Sequence, residues 1–130
     1  MVNTPNGLTY KKKLLESLLR SNNYLHDSKF TVSEEFSTHL ISPETAYKTR
    51  ILYKIEEFEE MLDSSDINFE CYVKIVEQIE KNYDFYDGFI ILQGPPTITY
   101  TAAALSFMLE NPEKPVILTG YLSKNIKFNY

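Results

Sequence analysis

Gln93-Gly94-Pro95-Pro96-Thr97 stands between an apolar run, Phe89-Ile90-Ile91-Leu92, and a helix-forming stretch that includes Ala102-Ala103-Ala104-Leu105. A loop that leaves a strand and opens a helix presents backbone N–H groups without intrahelical partners, and such an end suits an anionic ligand. In open α/β sheets, ligands gather outside the carboxyl ends of the strands, so a site in this chain is expected at Gln93 to Thr97. Asp63-Ser64-Ser65 bring a carboxylate and two hydroxyls together. By local pattern alone, these short polar residues form a turn and lead into a helix, with Asp66 or Asn68 supplying the N-cap oxygen.

Other chemistry-bearing residues imply less. Glu56, Glu57, Glu59 and Glu60 offer hard oxygen ligands, but without the glycine and ligand alternation of a calcium loop they read as a solvated surface. His26 and His39 have no Cys or His partners at metal-ligand spacing, so no metal site is expected. Cys71 and Met61 read as packing atoms, and Asp84 and Asp87 as turn residues.

These residues need elements to position them. Phe89–Leu92, a helix within Thr97–Glu110 stopped by Asn111-Pro112, and Val116–Thr119 make strand, helix and strand within the 35 residues from Tyr86 to Gly120. A right-handed βαβ unit with two parallel strands is expected, Phe89–Leu92 reading as a strand buried on both faces. Upstream, Phe69, Tyr72, Val73, Val76, Ile79 and Tyr83 fall on one face of a helix from about Asn68 to Asn82. Leu14, Leu15, Leu18 and Leu19 predict an amphipathic helix over Tyr10–Arg20, capped by Thr9 and lying on the sheet. Residues 1–8 read as loop, Ile51–Ile55 as a strand, Phe30–Val32 with Glu35-Phe36 as a short strand, and Ile41–Arg50 as connection. Residues 121–130 read as an irregular tail.

Tyr86–Gly94, Thr97, Tyr100–Asn111 and Lys114-Pro115-Val116-Ile117-Leu118-Thr119-Gly120 together resemble the bacterial-type L-asparaginases, in particular their cytosolic type I branch. Arg50-Ile51-Leu52-Tyr53 and Leu62-Asp63-Ser64-Ser65-Asp66 resemble further segments of that family. The likeness implies a three-layer α/β fold, a Rossmann-like parallel sheet with flanking helices, over residues 1–120 and incomplete at its first strand. It also implies a reaction without a cofactor. In it, an activated threonine attacks the amide carbon of L-asparagine, releasing ammonia, and water cleaves the acyl-enzyme to L-aspartate.

By that resemblance Asp63, Ser64, Ser65 and Gly94 belong to substrate binding, and Lys114 to the position of a triad lysine. The family's His-Gly-Thr-Asp-Thr reads here Gln93-Gly94-Pro95-Pro96-Thr97, which puts Pro95 and Pro96 where a catalytic threonine and aspartate stand. A hydroxyl, a carboxylate and two backbone N–H donors are lost together. The Thr-Gly-Gly-Thr nucleophile motif does not occur in the sequence. Impaired catalysis is therefore expected, with a non-catalytic interaction module or a weak amino-acid binder as alternatives.

A chain of 130 residues makes one domain at most and buries about two-thirds of its unfolded surface. Its net charge of −5 offers nucleic acid or an anionic membrane no favourable field, and Lys11-Lys12-Lys13 reads as a solvated helix face. No apolar run approaches the ~20 residues of a membrane span. A single cysteine and the absence of an apolar leader point to the cytoplasm. The expected ligand is asparagine or aspartate, and the expected protein partners are further copies of the chain or a full-length homologue.

Overall fold

A computed structural model describes residues 2–4, 7–9, 13–30, 32–58 and 66–120. The chain divides into two compact units, Met1–Met61 and Leu62–Tyr130.

In the first unit, strands β1 (Val2–Thr4) and β2 (Gly7–Thr9) pair antiparallel, with Val2 opposite Thr9, where the sequence reads as loop. Ladder pairing therefore occupies Thr9, and it does not cap the helix. Helix α1 (Leu14–Ser21) starts after Lys13, which takes a left-handed φ of 60° and donates its N–H to Glu57 Oε2 at 2.7 Å. Glu34–Phe36 forms a single 3₁₀ turn instead of strand, closed by Phe36 N–H to the Ser33 carbonyl at 2.9 Å.

Strands β3 (Leu40–Ile41) and β4 (Leu52–Tyr53) pair antiparallel, so the first residue of the expected connection is a strand and the expected strand is two residues long. Ser42 extends the pairing, its N–H donating to the Ile51 carbonyl and its Oγ accepting from the Ile51 N–H, both at 2.9 Å. Pro43, which has no N–H, then interrupts it. Around this ribbon the Arg50 guanidinium lies 2.8 Å from Asp27 Oδ2 and 4.6 Å from the centre of the Phe30 ring. The Tyr53 hydroxyl donates to the Leu25 carbonyl at 2.7 Å.

The second unit holds α2 (Phe69–Asn82), β5 (Phe89–Leu92), α3 (Ile98–Met108) and β6 (Val116–Thr119). Of the two proposed caps Asn68 is the one used, its side chain accepting from the Cys71 N–H at 3.2 Å. β5 and β6 pair parallel in register from Phe89↔Val116 to Leu92↔Thr119, the strand–helix–strand unit the apolar runs predict. Ile75 and Ile79 of α2 meet Leu105 of α3 in the core, with Phe89, Ile91, Val116 and Leu118 packed against them. Both helices thus cover the same face of the parallel pair.

The opposite face is open, with Ile90 at 68%, Leu92 at 59% and Ile117 at 52% exposure. The unbroken apolar run Phe89–Leu92 had suggested cover on both faces. Phe69, counted on the inner face of α2, is exposed, while Ile75, four residues before Ile79, packs inward in its place. These elements make an incomplete α/β domain. Among the described residues no helix is long and apolar enough to cross a membrane.

Candidate functional site

The carboxyl ends of β5 and β6 form an open depression of about 490 Å³ lined by Leu92, Gln93, Gly94, Thr119 and Gly120. Ladder hydrogen bonding continues into it, from the Gln93 N–H to the Thr119 carbonyl at 3.0 Å. A Cβ placed on Gly120 would stand 2.0 Å from the Gln93 carbonyl oxygen, so only glycine allows the two strand ends to close this tightly. Gln93 Nε2 donates to Thr97 Oγ1 at 2.9 Å, which anchors the loop to the start of the helix; Gln93 Oε1 is buried without a partner.

Between Gln93 and α3 the chain makes one 3₁₀ turn, Pro95–Thr97, closed by the Ile98 N–H to the Pro95 carbonyl. Proline suits the first turn because its missing N–H would have no intrahelical partner there and its φ is already helical. The same property removes two donors from the loop, since neither Pro95 nor Pro96 can offer an N–H to an anion. None of the five lining residues titrates. Thr119 is an exposed residue, but no general base stands among them to take its proton.

Lys114 is not part of this end. It precedes β6, whose parallel register puts its first residue beside the first residue of β5. Lys114 is two positions before β6 and Gly94 two positions after β5, so about seven positions, on the order of 20 Å, separate Lys114 from Gly94, Pro95 and Pro96. Its Nζ donates to the Tyr83 carbonyl and lies 4.8 Å from the centre of the Tyr83 ring. The Tyr83 hydroxyl in turn accepts from the backbone N–H groups of Glu113 and Lys114, at 2.9 and 3.2 Å. A triad of Lys114 with the positions of Pro95 and Pro96, which the resemblance suggests, is not assembled here. Asp63, Ser64 and Ser65 lie outside the described residues.

A second depression, about 370 Å³, is lined by Asn23, His26, Asp27, Ser28, Lys29 and Pro43 in the first unit. Its charged and imidazole groups have structural work: Asp27 pairs with Arg50, and His26 Nδ1 accepts from the Ile41 N–H at 3.3 Å. The Arg50 hydrogen bond, with the Lys29 backbone N–H, holds the Asp27 carboxyl below the usual range. Burial lowers the His39 pKa, assisted by the nearby Lys54 charge, and burial raises that of Tyr53. Glu56 pairs with Lys54, and Glu57 accepts from Lys13; Glu59 and Glu60 lie outside the described residues. Among the described residues no three His, Cys, Asp or Glu side chains gather as a metal site.

Residues 2–124 match the family model described as "Asparaginase, N-terminal". The chain belongs to the asparaginase family. It is 41% identical over 104 residues to an L-asparaginase of Dirofilaria immitis, covering 80% of this chain and 17% of that protein. With L-asparaginase 1 of Escherichia coli K12 the identity is 54% over 68 residues, 52% of this chain and 20% of the other. A 60 kDa lysophospholipase of Mus musculus is 34% identical over 115 residues, 88% of this chain and 20% of that protein. The crystal structure of L-asparaginase I from Vibrio cholerae superposes with a TM-score of 0.63 at 34% identity, over 90% of this chain and 29% of that one. The chain thus spans about a fifth of the length of these curated relatives.

Sequence reasoning missed Tyr83 as the anchor of the turn before β6 and Gly120 as the point of closest strand approach. For Gly120 the signal was available, a glycine directly after the last apolar residues of a strand. For Tyr83 none was, because its partners Glu113 and Lys114 are some thirty residues away.

Proposed function

We propose that this chain is an asparaginase N-terminal domain in which the family's reaction, hydrolysis of L-asparagine to L-aspartate and ammonia, does not proceed. The observation that carries this reading is Pro95-Pro96 at the carboxyl end of β5, where the family motif has threonine and aspartate. Proline supplies no hydroxyl, no carboxylate and no N–H, so it can neither attack an amide, nor move a proton, nor bind an oxyanion. Loss of a catalytic triad member costs on the order of 10⁴ to 10⁶ in rate. Thr97 is a poor replacement: a misplacement of about 1 Å already costs ~100-fold, and Thr97 stands a full residue beyond the pair. The cytoplasm is the proposed location, in keeping with the likeness to the cytosolic branch.

An ammonia assay with the purified chain and millimolar L-asparagine, run beside the Escherichia coli relative, tests the proposal. Release at the level of the protein-free blank is the expected result. Release above it that grows with protein concentration contradicts the reading.

A second reading, a non-catalytic interaction module, is favoured by the open apolar row Ile90, Leu92 and Ile117. Its partner would be another copy of the chain or a longer homologue. Size-exclusion chromatography that shows only monomer, alone and with such a homologue, counts against it.

A further inference from the structure

We draw no further inference here: the strongest candidate, the exposed apolar face of the β5–β6 sheet formed by Ile90, Leu92 and Ile117, carries nothing beyond the partner reading above, because nothing in the structure shows what covers it.

Discussion

The two ends of the β5–β6 pair are built to different purposes. At the amino end Tyr83 and Lys114 fasten helix α2 to the turn before β6, by a hydroxyl that accepts two backbone N–H groups and an ammonium on a carbonyl. At the carboxyl end, where an α/β sheet ordinarily offers its donors, the chain presents Gly94, Pro95, Pro96, Thr119 and Gly120. Among the described residues, one end is held by polar contacts of Tyr83 and Lys114, and the other is lined by Leu92, Gln93, Gly94, Thr119 and Gly120. Helix entry, strand closure and core packing thus depend on residues other than those a hydrolase needs, so the fold can persist without the reaction.

That contrast can be broken at the core both ends share. Leu105, 2% exposed, touches both layers of the second unit, and Leu105→Ala is expected to cost about 3 kcal/mol, read from the midpoint of urea unfolding. Gly120→Ala tests the carboxyl end as structure: its Cβ meets a backbone carbonyl that cannot swing away, so a loss of about 2 to 3 kcal/mol is expected by the same measurement. Tyr83→Phe tests the amino end, leaving two backbone N–H groups without their acceptor. A loss of about 1 to 2 kcal/mol is expected, with no effect on any ligand titration at the other end. A ligand response lost in that variant would show the ends to be coupled.

Replacing both prolines, Pro95→Thr with Pro96→Asp, sharpens the comparison from the chemical side. About 1 kcal/mol of stability should be lost as the unfolded chain gains freedom. Ammonia release by the 130-residue chain should stay at the blank, since these substitutions do not supply the Thr-Gly-Gly-Thr nucleophile that the resemblance implies.

The smallest effect belongs to pH. His39 has a lowered pKa in the folded chain, so the unfolded state takes up a proton first as pH falls through the ordinary histidine range. Stability contributed by neutral His39 is complete above that range and declines below it. Asp27, also lowered, adds a loss only in more acidic solution, as pH falls through its folded pKa. Melting temperature should therefore decline from neutral pH downward, and His39→Gln should flatten the upper part of that decline.

Much of the second unit was legible because its signals are local. Four apolar residues, a proline turn, an alanine-rich helix and four more apolar residues admit few arrangements, and the parallel direction of the strands followed from the connection between them. The first unit was harder to read, since its strands are two or three residues long and owe their existence to pairing, not to any period of their own. Thr9 reads as a helix cap from its local sequence, and only its pairing with Val2 makes it strand. Gly94 and the proline turn follow β5 and lead into α3, the place in the chain that the apolar run and the prolines indicate. Lys114 lies at the amino end of the pair, which the sequence did not indicate, because likeness of sequence places a residue in the chain whereas parallel pairing decides at which end of the sheet it emerges.

The central claim is the proposal that no acyl-enzyme forms on this chain, and intact-mass spectrometry after rapid mixing with L-asparagine tests it most directly. It sees the acyl-enzyme even where the later hydrolysis is too slow for an ammonia assay. The account predicts the unmodified mass of the chain at every mixing time. A transient aspartyl adduct, mapped by peptide analysis to Thr97, Thr119 or another hydroxyl, would contradict it.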